Sequence, residues 1–391
     1  MKVLFYLPVV TPWWFEHIVA PIMRRLASVA EVHVLAPAPW RNTGIGPAEL
    51  QQCLDLDGVT WQIIDGEGHE SLRTRAADEK SLVAHVQALA PEVILCRAAD
   101  FETVRQFPGV VRFLMEVAAA PFVVDPAMIT FTDRPFVAGA MPPLDPGDRS
   151  RLEAMIEPLW NEMRAYRQHA LPGRKPILSA LEIPEDRPML LLPLEYEHEE
   201  NFFLRHRPGQ ESNRAMLTRL AETVALDCTL VVTDHPLNAR HVDRSELRDS
   251  LADLGPGVIL AEESLLGFSA TLALASCADG MLVGDSKSFS LAAAFGVPLM
   301  RRSRFATAEW LKAETDLDRF VAAVRTGEAT APCAADARLW FAAHLANEAF
   351  HPNDSALTGA ELIDRALQPT NPQRWEAGLA RIDAVMQEHV S

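Results

Sequence analysis

Two segments in the second half of the chain end apolar runs on side chains that are suited to holding an anion. Each apolar run is typical of a buried strand. The side chains concerned are His235 and Pro236 in the first segment, and Ser286, Lys287 and Ser288 in the second. An apolar helical run at residues 290–295 follows the second segment, which puts its hydroxyl residues at a helix start. Because a helix start offers free N–H groups and a positive dipole, the pattern predicts a phosphate site.

A third segment is strongly acidic. Residues 190–194 form another strand-like run, and the next six residues, 195–200, contain four glutamates and one histidine. Carboxylates that share a cleft repel one another, which raises the pKa of one of them toward the range useful for acid–base catalysis. A solvated acidic loop is the alternative interpretation. The candidate catalytic residues are Glu199, as the first choice, with Glu200 and Glu195.

Aromatic residues follow the first strand-like run of the chain, residues 3–7. They are Trp13 and Trp14, with His17 one helical turn further on. Aromatic faces stack well on sugar rings, although tryptophan is also a common core residue. We interpret these three side chains as candidates for binding an acceptor saccharide.

The elements that must position these residues alternate between strand and helix patterns. Strand-like runs lie at residues 3–7, 32–37, 59–64, 93–96, 110–115 and 122–124 in the first half, and at 189–194, 229–233, 257–261 and 280–283 in the second. Proline-rich residues 121–146 predict a loop-rich edge, and residues 171–176 resemble a hinge. The alternation predicts an α/β fold in which two doubly wound, Rossmann-like domains face a cleft. The expected domains are 1–175 and 176–333, followed by C-terminal helices, 334–391, that pack back across both.

Composition narrows the classes of partner. With 391 residues, the chain exceeds the usual size of one core. Its 53 acidic and 36 basic residues give a formal net charge of −17, which disfavours nucleic acid and anionic membranes as general partners. Five scattered cysteines predict a reduced, cytoplasmic protein. We find no apolar stretch of membrane-spanning length, so any membrane contact is expected to be peripheral.

The two anion-binding segments together resemble a known group of enzymes. A strand followed by His-Pro, and a Ser-x-Ser turn before a small-residue helix that ends in Gly-x-Pro, are similar to the nucleotide-binding motifs of bacterial CMP-sugar transferases of the GT-B type. These include sialyltransferase-like enzymes and the retaining β-Kdo transferases of capsule and O-antigen synthesis. The resemblance covers about residues 185–300. It implies that His235, Ser286 and Ser288 hold the phosphate of CMP. If these donors suffice, no metal is required, and we expect no cofactor besides the CMP-sugar donor itself.

The same resemblance extends to the acidic segment. In Kdo transferases an apolar strand runs into Pro-Leu-Gln and then an aspartate that does the covalent chemistry. Here the sequence is Pro193-Leu194-Glu195, and the aspartate position falls on Glu199 or Glu200. The resemblance therefore implies transfer of an ulosonic acid such as Kdo to a saccharide or glycolipid acceptor in surface-polysaccharide assembly.

An ulosonic acid carries a carboxylate on its anomeric carbon, so a cation is expected near the phosphate site. The candidates are Arg205, Arg207 and Arg240, since arginine can bind a carboxylate through two parallel hydrogen bonds. Surface ion pairs with the abundant acids are the alternative. Two other functions fit the same motifs: a non-hydrolysing epimerase acting on UDP-sugars, and a non-catalytic partner subunit that retains the fold.

Overall fold

The computed structural model describes the backbone of residues 1–390 and the side chains of all of these except 252 and 385–390. The first sheet contains β1 (Lys2–Tyr6), β2 (Glu31–Pro37), β3 (Val59–Ile64), β4 (Val93–Cys96), β5 (Val110–Glu116) and β6 (Ile129–Thr132). The strands lie in the order β3-β2-β1-β4-β5-β6, and only the β5–β6 pair is antiparallel. This is the Rossmann strand order.

The second sheet repeats the same winding. Its strands, with a small hairpin between them, are β7 (Met189–Pro193), β8 (Thr229–Thr233), β9 (Val258–Leu260), β10 (Ser264–Leu265), β11 (Phe268–Ser269), β12 (Gly280–Val283) and β13 (Leu299–Arg301). The sheet order is β13-β12-β7-β8-β9, and all pairs in it are parallel. The expected α/β fold with two doubly wound, Rossmann-like, GT-B-like halves is confirmed by these two sheets.

Helices connect the strands and extend the chain beyond the second sheet. The α-helices of the first half are Pro12–Trp14, Ala20–Ala27, Pro47–Gln51, Glu79–Leu89 and Phe101–Val104, and those between the sheets are Pro146–His169 and Arg174–Ala180. Those of the second half are Asn213–Asp227, Pro236–His241, Ser245–Asp253, Ala270–Ala275, Phe289–Phe295 and Leu317–Thr326. The C-terminal helices are Ala334–Ala343, Gly359–Leu367 and Trp375–Val390.

Short helical turns of other types complete the chain. The 3-10 turns are His69–Arg73, Phe202–His206, Pro208–Gln210, Glu309–Leu311 and Pro372–Arg374, and the π-helical turns are Phe15–Val19 and His344–Glu348. Several α-helices begin where the sequence supplies a capping side chain. Asp78, Asp145 and Ser212 each accept a hydrogen bond from the backbone N–H three residues further on.

The central strands are apolar throughout because helices cover both faces of each sheet. In β1, Val3 and Phe5 join one apolar cluster while Leu4 and Tyr6 join the cluster on the opposite face. Strands β7, β8 and β12 divide their side chains in the same way. The edge strand β3 is only partly buried, and its exposed and half-buried residues alternate along its first four positions.

The structure differs from the sequence prediction in the proline-rich region. Residues 122–124 do not form a strand, whereas Ile129–Thr132 forms β6 inside the segment predicted as loop. Two tertiary contacts hold this short strand: antiparallel pairing with β5, and a pair of hydrogen bonds between Ile129 and Phe350. The last three residues of the segment predicted as a hinge, 174–176, belong to the helix Arg174–Ala180.

The chain crosses between the halves more than once. The helix Pro146–His169 packs with the C-terminal helices Ala334–Ala343 and Trp375–Val390 in an apolar cluster that includes one face of the second sheet. The helix Gly359–Leu367 instead packs on the first half, against Ala20–Ala27. Only glycine fits at Gly359, since a Cβ there would lie 2.4 Å from the carbonyl oxygen of Arg25.

An aromatic cluster joins the two halves beside the sheets. The cluster consists of Phe101 and Phe136 from the first half and Phe203, His206 and Phe305 from the second. The His206 ring stacks on Phe101 at 4.7 Å, and its Nε2 lies 2.8 Å from the carbonyl oxygen of Ala99. Burial is the main cause that lowers the pKa of His206 to about 4. The imidazole is therefore neutral and donates to Ala99 through Nε2–H.

We expect His206 to make the stability of the protein depend on pH. Because its pKa in the folded state lies below the ordinary value of 6.5, its contribution is fully present above pH 6.5 and is lost as the pH falls toward 4. Between pH 7 and pH 5, the free energy of unfolding of the His206→Gln variant should fall by about 1–2 kcal/mol less than that of the wild type. Urea unfolding of both proteins at the two pH values measures this difference. The exposed His85, replaced by glutamine, serves as the control. Equal pH dependence in the His206 variant and the wild type would contradict this assignment.

Candidate functional site

The three polar segments identified in the sequence meet at the carboxyl edge of the second sheet. In doubly wound sheets, ligands bind beyond this edge where the strand order reverses, which here is between β7 and β12. The backbone N–H of Asp285, after β12, lies 2.8 Å from Oε1 of Glu195, after β7. The ring of Tyr196 stacks on that of His235, after β8, at 5.4 Å. The fold therefore brings the acidic segment and both anion-binding segments together.

Glu195 fills the crevice at the strand reversal. One of its oxygens accepts from the Asp285 N–H, and the other accepts from Nη2 of Arg207 at 3.1 Å. A Cβ at Gly284 would lie 2.3 Å from Oε1 of Glu195, so a larger residue at this position would displace that carboxylate. The chain thus places its own carboxylate where a ligand anion is commonly found in such sheets.

A second buried arginine fixes the loops that follow β7 and β8. Arg244 donates two hydrogen bonds to Asp234, at 2.8 and 3.0 Å, and one to Glu197 at 3.3 Å. The side-chain amide of Asn238 donates to Asp234 and to the carbonyl oxygen of Glu195. Because each of these loops is held by buried charged and amide groups, the residues they present have defined positions.

His235 presents a neutral N–H donor at this edge. Its Nδ1 accepts from the backbone N–H of Leu237 at 3.2 Å, which caps the helix Pro236–His241, so the ring proton lies on Nε2. Burial is the main cause that lowers the pKa of His235, while nearby Glu116 opposes the shift. Pro236 occupies the first helical position, where its missing N–H costs nothing.

The serine turn is organised by its own hydroxyls. Oγ of Ser286 accepts from the backbone N–H of Ser288 at 3.2 Å and lies 3.0 Å from Oγ of Ser288. Ser288 precedes the seven-residue helix Phe289–Phe295 without forming a side-chain cap. Lys287 forms an ion pair with Glu116 of the first half. The turn is thus linked to both sides of the cleft.

Asp285 anchors the serine turn to β13. Its Oδ1 accepts from Nη2 of Arg301 at 2.9 Å and from the hydroxyl of Ser303 at 2.5 Å. Burial is the main cause that raises the pKa of Asp285 to about 6, and the bonds from Ser303 and Arg301 oppose it. Arg301 also donates to the carbonyl oxygen of Phe136, so this anchor reaches the first half of the chain.

Glu199 and Glu200 face a loop of the first half. Nδ2 of Asn42 donates to Oε2 of Glu200 at 2.5 Å, and Nε of Arg41 lies 3.7 Å from Oε2 of Glu199. The hydroxyl of Tyr196 donates to the other oxygen of Glu200 at 2.8 Å. Burial first, and then this bond, raises the pKa of Tyr196. These two carboxylates therefore contact the first half of the chain. The sequence of the acidic segment does not indicate this contact.

The predicted acceptor residues divide into two environments. Trp14 is 6% exposed and lies under the guanidinium of Arg97, whose Cζ is 3.6 Å from the ring centroid. Trp13 is 43% exposed, and the ring of His17 lies 5.1 Å from it. Only Trp13 and His17 thus offer an open aromatic surface, while Trp14 is part of the core beneath it.

The three candidate arginines also differ. Arg207 is buried and donates to Glu195, to the side chain of Asn213 and to the carbonyl oxygen of Glu211. Arg240 is exposed on the helix Pro236–His241. Arg205 is half-buried, and its Nη1 has no hydrogen-bond partner among the described residues.

An open pocket of about 400 Å³ lies between the loop after β5 and the serine turn. Its wall includes Glu116, which sequence analysis missed because it placed the end of the strand at Met115. The Lys287 ammonium is the main cause that lowers the pKa of Glu116 to about 2. The sequence did contain a signal for Glu116, because a polar residue stands there directly at the end of an apolar strand.

Within the described part of the chain, no group of three or more histidine, cysteine, aspartate or glutamate side chains is arranged to hold a metal ion. Across the same residues, no helix combines the length and apolar character needed to cross a bilayer.

We expect Arg207 to act on the site by positioning Glu195. Removal of Arg207 leaves the half-buried Glu195 carboxylate without its paired charge, so Arg207→Met should lower the free energy of unfolding by about 1–3 kcal/mol. Chemical denaturation measures this loss, and adding Glu195→Gln should restore part of it. The exposed Arg214, replaced by methionine, is the matched control. An unchanged stability in the Arg207 variant would contradict the positioning role.

No protein-family model matches the sequence, and no curated protein matches it. Among solved structures, the apo form of the lipopolysaccharide outer core galactosyltransferase WaaB is 11% identical, with a TM-score of 0.36 over 84% of this chain and 92% of that one. Thermosulfurimonas dismutans KpsC, a β-Kdo 2,4 transferase, is 10% identical, with a TM-score of 0.40 over 82% and 89%. The UDP-N-acetylglucosamine 2-epimerase from Rickettsia bellii is 13% identical, with a TM-score of 0.36 over 98% of each chain. Similarities this distant do not identify an activity.

Proposed function

We propose that the protein is a glycosyltransferase that takes a sugar from a nucleotide-sugar donor. The observation that carries this proposal is the convergence of His235, Lys287 and the Ser286–Ser288 hydroxyls at the carboxyl edge of the second sheet. The motifs favour CMP as the nucleotide, an ulosonic acid such as Kdo as the sugar, and a saccharide or glycolipid as the acceptor.

The phosphate of the donor would lie on the His235 side of the crevice. Glu195 already fills the space above Gly284, and a second anion beside it would be repelled. His235 offers Nε2–H, and Lys287 offers an ammonium group that Glu116 holds until a ligand competes for it. These donors would stabilise the charge that develops on the phosphate as the bond to the sugar breaks.

The proposal predicts that His235 contributes directly to nucleotide affinity. Replacing His235 by alanine removes a hydrogen bond to a charged group, so CMP binding measured by calorimetry should weaken about tenfold or more. Replacing His241, an exposed histidine of the same short helix, should leave the affinity unchanged.

A nucleotide panel of CMP, CDP, UDP and GDP separates the alternatives. Selective binding of CMP supports the transferase. Preference for UDP, with interconversion of a UDP-sugar in the absence of an acceptor, would favour the epimerase. CMP binding without any turnover would favour a non-catalytic partner subunit. Wild-type CMP affinity in the His235 variant, with the fold intact, would reject the site.

The ulosonic acid depends on a cation for its carboxylate, and we assign that role to Arg205, whose buried Nη1 has no hydrogen-bond partner among the described residues. Arg205→Met should therefore lower turnover of CMP-Kdo at least tenfold while CMP affinity changes less than twofold, because CMP lacks the carboxylate. Arg240→Met is the control, since Arg240 is exposed. Equal turnover in the wild type and the Arg205 variant would instead favour a neutral donor sugar.

The catalytic carboxylate predicted in residues 195–200 stays a prediction. Both oxygens of Glu195 accept hydrogen bonds, and Glu200 is held by Tyr196 and Asn42. Glu199 has only a 3.7 Å contact with Arg41 and a side chain that is 58% exposed, so it is the most available carboxylate of the three.

A further inference from the structure

The pocket after β5 combines groups from both halves of the chain. The first half contributes Glu116, Phe122, Val123 and Asp125, and the second contributes Lys287 and Ser290. Ser290 is completely buried, and its hydroxyl has no partner among the described residues. A buried hydroxyl without a hydrogen bond carries a desolvation cost that a polar ligand would relieve.

The chemistry of the wall fits an uncharged sugar. Glu116 and Asp125 offer carboxylate oxygens that accept hydrogen bonds from hydroxyl groups, and Ser290 offers a hydroxyl. Phe122, Val123 and neighbouring apolar residues can contact the apolar face of a ring. The charges of Glu116 and Lys287 compensate each other. The pocket lining, within the described residues, includes no arginine, so nothing there is suited to pair with a carboxylated sugar in two parallel bonds.

The loop that forms this wall is held from outside the pocket. The backbone N–H of Ala118 donates to Nε2 of His344 at 3.1 Å, and Nδ1 of His344 lies 2.8 Å from Glu348. At the other end of the loop, Oδ1 of Asp125 lies 3.3 Å from Nε2 of His351. Because the C-terminal segment fixes the loop at two points, the pocket is built before any ligand arrives.

We propose that this pocket holds the acceptor sugar and that Glu116 accepts the proton of its attacking hydroxyl; the proposal rests on the glycosyltransferase function proposed above. The acceptor oxygen forms a bond to the anomeric carbon of the donor sugar. The bond from that carbon to the leaving oxygen breaks, and its electron pair stays on the leaving oxygen. The proton of the acceptor hydroxyl moves to the Glu116 carboxylate, so charge and atoms balance.

The ion pair between Glu116 and Lys287 links donor binding to this step. Through this pair, the Lys287 ammonium holds Glu116 in its ionised form. A donor phosphate that engages Lys287 weakens this pairing, and the pKa of Glu116 then rises toward that of an effective base. Glu116 thus becomes a stronger proton acceptor only when the donor is in place.

Two measurements on the Glu116→Gln variant distinguish a catalytic role of Glu116 from a structural one. Turnover of CMP-Kdo, measured as enzyme-dependent release of CMP, should fall by about 100-fold or more, the usual contribution of a general base. CMP affinity, measured by calorimetry, should be at least as high as in the wild type, because Lys287 is released for the phosphate. The variant Glu116→Asp, which retains a carboxylate, should recover part of the turnover.

Glu102 provides the matched control. Its carboxylate also faces a cation of the other half, Arg304, at 3.8 Å, but it does not line the pocket. Glu102→Gln should leave both measurements unchanged. Wild-type turnover by Glu116→Gln, or a parallel loss of CMP affinity and turnover, would overturn the assignment of Glu116. Failure of the wild type to bind CMP would instead overturn the proposed function, and this assignment with it.

Discussion

The organisation of the site depends on the half-buried carboxylate of Glu195. Arg207 neutralises it on one side, and the backbone N–H of Asp285 binds it on the other. A buried charge is tolerated only where it is paired and its lone pairs are satisfied, so these three residues must keep their relative positions. Since they follow β7 and β12, the contact fixes the distance between the loops on either side of the strand reversal. The serine turn and the acidic segment both take their positions from it.

A second constraint arises because charged residues of the cleft pair across the two halves. Lys287 meets Glu116, Glu199 faces Arg41, and Arg301 reaches the backbone of Phe136. Each of these groups therefore already has a partner within the chain, and a ligand must offer a more favourable interaction than the contact it displaces. Competition of this kind favours an anionic ligand with a defined shape over a simple inorganic ion.

The sequence predicted the sheets better than it predicted the site. Continuous apolar runs identify strands that are buried on both faces. Nine of the ten strand-like runs are strands in the structure. The short strand β6 was missed because it lies in a proline-rich segment and because one of its partners, Phe350, is distant in the sequence. Residue type indicated that Glu199 and Glu200 were polar groups at a strand end. It could not indicate that they contact Arg41 and Asn42, since that contact depends on how the halves meet.

The crossings of the chain between its halves limit how the cleft can open. One connection follows β6, a second leads to the helix Gly359–Leu367 on the first half, and a third returns to Trp375–Val390. Three such connections resist sliding of one half past the other, and rotation about an axis near these connections is the motion that strains the backbone least. Displacement would then grow with distance from that axis, so the rim of the cleft would travel furthest while the residues nearest the connections remained almost still.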